Sequence, residues 1–344
     1  MKHKKSLIIS ALPLTPILSG MQNTVYLLYK FLKEQKQKVA FLEVKTHNKA
    51  DPVVNLKHNF FFSKKLNNKI INYNPDFIFV NTSKILNIYK EILLYKYRFF
   101  KTVLVIHDLY YYRKKYLNYI KIKDSTYLTK KKEISTLKKA DFIIDYSKKE
   151  YNFLLSSGIK KKQLVFTMTP TLKLKNNYRF NAKYDIIYIS SDWLQNQINI
   201  KWIKDQIQTT KNKFKLLVLG NKKFLRRTIS EKDLFIKDYS KISLNLAKLG
   251  LAIFNSGTGR KTKIFEMLSA GLPVVSNLDL SEFGLRNNKH YIKISKGQII
   301  NKILIDILNN IKLRKNLSKN ALNWSKKNSY YYFAFKNLKT FLNK

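Results

Sequence analysis

Between residues 255 and 277 the chain reads NSGTGRKTKIFEMLSAGLPVVSN, and its small and charged residues are spaced for one kind of chemistry. Gly257 and Gly259 precede the cations Arg260, Lys261 and Lys263, and Glu266 follows inside an apolar stretch. Gly271-Leu272-Pro273 stops that stretch and Val274-Val275 opens a strand. A glycine loop feeding a helix start presents unpaired N–H groups and the positive end of the helix dipole to an anion. Lys261 and Lys263 add full charge. Glu266, about two turns past Gly259, is placed to accept from hydroxyls rather than to meet phosphate. Cations beside one acid, on one loop and helix, suit a molecule with a phosphate end and a polyol end. A nucleotide sugar is such a molecule.

Elements must hold that loop, and bulk properties set how many. At 344 residues the chain is long enough for two domains with their own cores. A 45% hydrophobic fraction with only 9 Gly and 6 Pro excludes a disordered or collagen-like chain. With no cysteine, a disulfide framework, a thiolate nucleophile and a cysteine-ligated metal are excluded, and a reducing cytoplasm fits. The 67 Lys+Arg against 21 Asp+Glu would suggest nucleic acid if they clustered, but the lysines run from Lys2 to Lys344. Asn, Ile, Tyr and Phe are abundant too, as an AT-rich coding sequence would produce, so composition accounts for most of the charge. The surface should still attract anionic lipid, worth about 1 kcal/mol per basic residue near the bilayer. The start, KHKKSLIISALPLTPILSG, imitates a secretory signal, but Pro13 and Pro16 interrupt it and no small-x-small site follows. It reads as a buried first strand. No run of about 18 uninterrupted apolar residues exists, so no spanning helix is expected.

Short apolar runs alternate with longer amphipathic ones, the mark of βαβ units and a parallel sheet. Strands are expected over residues 7–11, 39–44, 77–81, 102–106 and 142–146, with helices over 23–34 and 130–139. Ser147, with Glu150 three residues on, reads as a capping box. A polar run over 169–183, with Pro170, reads as a linker. The pattern then restarts with strands over 186–190, 215–219, 251–255 and 274–276, and helices over 299–311 and 314–326. The amphipathic stretch 330–342 is placed to pack back across the first domain. The expected fold class is α/β, two Rossmann-like domains facing each other across a cleft. The first spans 1–170, a linker 171–184, the second 185–328, and 329–344 returns toward the first. Ligands in such sheets sit at the carboxyl ends of the strands.

The motifs, taken in order, resemble the GT-B glycosyltransferases, in particular the retaining bacterial enzymes called family 4 or group 1, over nearly the whole chain. The strongest part is Gly-x-Gly-x-x-x-Lys-x-x-Glu, met by Gly257, Gly259, Lys263 and Glu266 and followed by AGLPVV. The resemblance implies that Glu266 binds the nucleotide ribose and that Lys263, with Lys261 beside it, holds the diphosphate. Residues 16–20 resemble the N-terminal loop whose glycine approaches the donor phosphates, a role that falls on Gly20. VLVIHDL resembles the histidine region near the transferred sugar, with His107 as the match. ADFII with Ser147 and Glu150 resembles the family's AD-hydrophobic strand followed by SxxE. Residues 196–202, and Phe283-Gly284-Leu285 with His290, match further parts of one subgroup. Two departures stand out. Thr258 occupies the place of a first glutamate that usually contacts the donor sugar. Residues 191–196 replace the Arg and Lys that many members carry after the first strand of the second domain.

The expected activity is transfer of a sugar from a nucleotide diphosphate donor to a glycan or lipid-linked acceptor in cell-envelope polysaccharide synthesis. His107 and Lys263 are the candidate catalytic residues. Gly20, Gly257, Thr258, Gly259, Lys261, Lys263 and Glu266 are the candidate donor-nucleotide site. No cofactor is expected, since a UDP- or GDP-sugar enters as substrate. No metal is expected either: histidines and carboxylates lack ligand spacing, with Asp279–Glu282 the nearest approach. Lysines and a helix dipole would neutralise the diphosphate instead. Expected partners are the nucleotide sugar, the glycan or lipid-linked acceptor and an anionic membrane surface, with no specific nucleic acid; basic runs such as 130–132 and 160–162 read as solvated faces, or as a membrane-surface patch where one helix of the first domain gathers them with tyrosines. The expected location is cytoplasmic, peripheral on the inner face of the membrane. The alternatives are a basic nucleic-acid-binding protein, a non-catalytic GT-B relative and a sugar-nucleotide epimerase, which would need carboxylates in its cleft. Plainer readings stand beside these: a surface loop at 255–260, a structural His107, a loop Gly20, and packing for Tyr110-Tyr111-Tyr112.

Overall fold

The computed structural model describes residues 3–15, 17, 19–44, 58–95, 98–111, 129–172, 178–190, 194–208, 214–220, 235–238, 241–254, 261–295 and 299–342. Gly257, Thr258 and Gly259 lie outside them, as do Pro16, Tyr112, Arg260 and residues 173–177 and 191–193.

The apolar runs form two six-stranded sheets. The first contains β1 (Lys5–Ser10), β2 (Lys38–Glu43), β3 (Phe77–Asn81), β4 (Lys101–Val105), β5 (Phe142–Asp145) and β6 (Leu164–Phe166), in the order β2-β1-β3-β4-β5-β6. The second contains β7 (Tyr184–Ile189), β8 (Leu216–Gly220), β9 (Phe235–Asp238), β10 (Ala247–Ala252), β11 (Val274–Ser276) and β12 (Ile292–Lys293), in the order β12-β11-β10-β7-β8-β9. Every described pairing is parallel. Strands covered on both faces need apolar residues at consecutive positions, as SLIIS and FIFVN supply. Their alternation feeds two clusters: Leu7, Ile9, Ile78 and Val80 on one face, Ile8, Phe77, Phe79 and Val103 on the other. Strand order reverses beside β1 and beside β7. Crevices at the carboxyl ends open at such reversals.

Three expectations change. β10 starts at Ala247 rather than 251, because Lys248 and Gly250 interrupt its apolar run. Lys248 reaches Asp185 at 2.8 Å, and a Cβ on Gly250 would stand 2.9 Å from Leu272 Cδ2. Ser147 does cap the helix Lys148–Ser156, accepting from the Glu150 N–H at 3.3 Å. The reciprocal half of the box is missing: Asp145 takes the Ser147 N–H at 2.9 Å, and Glu150 turns to Leu109. The stretch 330–342 forms two short helices, Tyr331–Ala334 and Lys336–Leu342, instead of one.

Those short helices follow a crossing between the lobes. The Thr171 N–H donates to the Ser329 carbonyl at 2.7 Å, and the Tyr331 N–H to the Thr171 carbonyl at 2.8 Å. Phe335, Leu338 and Leu342 then enter the cluster that holds Ile8, Val25 and Phe31, with the Phe31 and Phe335 rings 5.2 Å apart. Among the described residues no helix is long and apolar enough to cross a membrane.

Candidate functional site

The helix Thr262–Ser269 carries one face of the site. Ile264, Phe265, Met267 and Leu268 pin it to the second sheet, and Gly271, at φ 74°, turns the chain into β11. Of the residues that remain, Lys261, Thr262 and Glu266 meet the first lobe, and Lys263 stands beside them with its ammonium over Tyr188. Glu266 is only 6% exposed, and its partner comes from across the cleft: the Asn23 Nδ2–H donates to Oε1 at 3.0 Å. Asn23 belongs to the helix Gly20–Glu34, which Ser19 caps by accepting from the Gln22 N–H at 3.2 Å. Asn23 is itself 2% exposed, and its Oδ1 has no hydrogen-bond partner.

The two helices meet at their N-termini. A Cβ on Gly20 would lie 2.8 Å from Thr262 Cβ, so only glycine permits the approach. Two positive dipole ends and two ammonium groups therefore share one corner. Lys261 and Lys263 are half-buried there, with their ammoniums over the rings of Phe254 at 4.9 Å and Tyr188 at 5.6 Å. Burial, then repulsion from Lys261, pushes the Lys263 amine down to about 7, against the pull of Glu266. Burial lowers Lys261 as well, opposed by Asp108 and Glu150 of the first lobe.

Gly20→Ala is expected to wedge this corner open. Overpacking of this kind costs about 1–3 kcal/mol. Small-angle scattering should show a larger radius of gyration, restored by adding Thr262→Gly.

The first lobe supplies the opposite wall. His107 follows β4, 7% exposed, with Nε2 at 2.5 Å from Asn81 Oδ1. The Asn81 amide nitrogen donates to Ser10 Oγ at 3.0 Å, so its oxygen faces the imidazole and Nε2 carries the proton. The ring stacks on Tyr146 at 6.0 Å. Under the following turn lie two carboxylates: Glu133, which sequence reasoning missed, and Glu150, which it assigned to a capping box. Glu133 accepts from the Tyr110 N–H at 3.0 Å, the Tyr111 N–H at 2.9 Å and the Ser83 hydroxyl at 2.9 Å. Glu150 accepts from the Leu109 N–H at 3.4 Å. Burial raises both carboxyls, and Asp145 and Asp108 raise Glu150 further, well above the ordinary range. The available signal was a lone acid in a basic helix start, KKKE.

Gly20, Lys261, Lys263 and Glu266 thus come together where the helix ends meet. His107 stands on the facing lobe beside Asp108, which feels the charge of Lys261. Asp279 does not join Glu282 in a metal site; it pairs with Lys293 at 2.7 Å. Among the described residues no group of three His, Cys, Asp or Glu side chains could hold a metal ion. His290 fixes its own loop, Nδ1 accepting from the Arg286 N–H at 2.8 Å.

Two Rossmann-like domains with opposed strand ends define the GT-B fold, and this chain has it. A family model described as Glucosyltransferase 3-like, N-terminal domain, matches residues 92–168. Among solved structures the chain is similar to sucrose-phosphate synthase from Thermosynechococcus elongatus, at TM-score 0.72 and 12% identity over 99% of each chain. It is similar to Anabaena HepE in complex with UDP-glucose, at TM-score 0.68 and 12% identity over 99% of this chain and 100% of that one. A point mutant of S. aureus TarM, in complex with fondaparinux, alpha-GlcNAc-glycerol and UDP, gives TM-score 0.60 and 15% identity over 86% of this chain; the match spans 59% of the TarM chain. No curated protein matches the sequence.

Proposed function

We propose that the protein is a glycosyltransferase that moves a sugar from a UDP- or GDP-sugar to a hydroxyl of a glycan or lipid-linked acceptor. The observation that carries the reading is the corner where two helix N-termini, Lys261 and Lys263 converge beside buried Glu266. Its chemistry is that of a diphosphate next to a pentose. In the proposed complex Lys261 and Lys263 hold the diphosphate. Glu266 and the unpartnered Asn23 Oδ1 each accept from one ribose hydroxyl. As the anomeric C–O bond breaks, negative charge grows on the departing phosphate, and fixed cations and dipoles lower that barrier without a metal. His107, held by Asn81, presents its ring toward the transferred sugar. Closure of the first lobe excludes water. The resemblance to retaining enzymes adds that the departing phosphate takes the acceptor proton. Cell-envelope polysaccharide synthesis at the inner face of the membrane is the setting proposed for this activity.

Calorimetry with UDP, GDP, ADP and CMP tests the site, and transfer assays over a donor panel test the reaction. Binding of UDP or GDP is expected. No binding to any of the four, with no transfer, rejects the reading. Glu266→Ala is expected to weaken UDP binding about tenfold to a hundredfold, since a hydrogen bond to a charged group is worth about 1.5–3 kcal/mol. A sugar-nucleotide epimerase is the second reading, favoured by the carboxylates Asp108 and Glu150 near Lys261. Donor turnover without acceptor would select it.

A further inference from the structure

The helix Phe60–Tyr73 satisfies the first core with one stripe, Phe62, Leu66 and Ile70. Three further apolar residues, Phe60, Phe61 and Ile71, point to solvent, with Phe61 82% exposed. Tyr95 and Phe99, from the segment leading to β4, are exposed on the same side, Phe99 at 60%. Between the helix and that segment runs a groove of about 500 Å³ lined by Phe60, Ile71, Ile92, Tyr95 and Phe99. Single exposed rings need no explanation, but a contiguous group around a groove does.

Charge says what the group meets. Lys64 lines the groove and Lys65 stands exposed beside it. Arg98 lines it too, braced by Asp141 at 2.6 Å. Glu91, the acid of the groove wall, is paired with Lys90 at 3.5 Å. Exposed rings interleaved with cations match the boundary between acyl chains and anionic head groups, where rings enter the apolar layer and lysines stay at the phosphates. We infer that this face of the first lobe docks on a bilayer containing anionic phospholipid, with Phe60, Phe61, Tyr95 and Phe99 inserted. Among the described residues the basic runs at 130–132 and 160–162 lack such exposed apolar neighbours.

The inference stands whether or not the cleft holds a nucleotide sugar, and its test is separate. The chain has no cysteine, so Phe61→Cys, Phe99→Cys and Tyr332→Cys can each carry one environment-sensitive fluorophore. Tyr332 is a matched control: it is exposed, and its segment packs on the opposite face of the first sheet. With vesicles of equal parts phosphatidylglycerol and phosphatidylcholine, the labels at 61 and 99 should shift to the blue and be quenched by brominated lipid, and the label at 332 should not. Combining Phe60→Ser, Phe61→Ser and Phe99→Ser should weaken vesicle binding at least about tenfold, with UDP affinity unchanged. Unresponsive labels on protein that sediments with the vesicles, an equal response at 332, or equal binding to pure phosphatidylcholine would overturn the inference. So would labels that respond to single-stranded RNA instead of to vesicles.

Discussion

Lys263→Ala is expected to weaken UDP binding by about 2–4 kcal/mol, roughly 30- to 1,000-fold, because it deletes one partner of a desolvated charge pair. The same substitution should stabilise the ligand-free protein. In the fold the Lys263 amine titrates near 7, below its ordinary 10.5. Between those values the unfolded chain holds a proton that the folded chain lacks. Wild-type stability therefore rises with pH across that window, and the substitution flattens the rise. Phosphate beside the amine raises it again, so nucleotide binding near pH 8 should take up a proton and weaken as pH climbs further. Calorimetry in two buffers of different ionisation enthalpy measures that uptake. If Lys263→Ala binds UDP with the same proton uptake and affinity as wild type, the ammonium is not at the diphosphate.

Glu133→Ala is expected to cost about 3–5 kcal/mol of folding stability. The substitution leaves the Tyr110 and Tyr111 amides and the Ser83 hydroxyl without their acceptor in a buried setting. Each unsatisfied buried group costs about 1–3 kcal/mol. Glu133→Gln keeps one acceptor oxygen and should lose less than half as much. Urea midpoints at constant m-value measure both. Equal, small losses for the two variants would show that water replaces the carboxylate and that the turn after His107 is not held by it.

The candidate site residues that local spacing groups were legible. A glycine loop, two lysines and a helix start sit within a dozen positions, and a helix dipole acts over one turn. Lys261, Lys263 and Glu266 do lie on one short helix and its cap, with Lys261 and Glu266 meeting the other lobe. Their partners were not legible, because tertiary closure alone creates them. Asn23 and Glu266 lie on different lobes, and nothing in the pattern of either segment announces the other. Glu150 shows the same limit at short range: the local rule assigns its carboxylate to the Ser147 amide, but Asp145 takes that amide and Glu150 accepts from Leu109 instead. Most strands followed from apolar runs, while β6, of three residues, and β12, of two, are too short to carry a period. The helix Phe60–Tyr73 escaped because its outward rings blur the stripe that defines it.

The return of residues 335–342 to the first sheet delays completion of the first lobe until the end of translation. A ribosome delivers the helix Gly20–Glu34 early, yet the hollow beneath Phe31 stays unfilled until Phe335 emerges. The nascent first lobe must therefore wait, incomplete, through translation of the entire second one, with an apolar seam open to chaperones and to other unfinished chains.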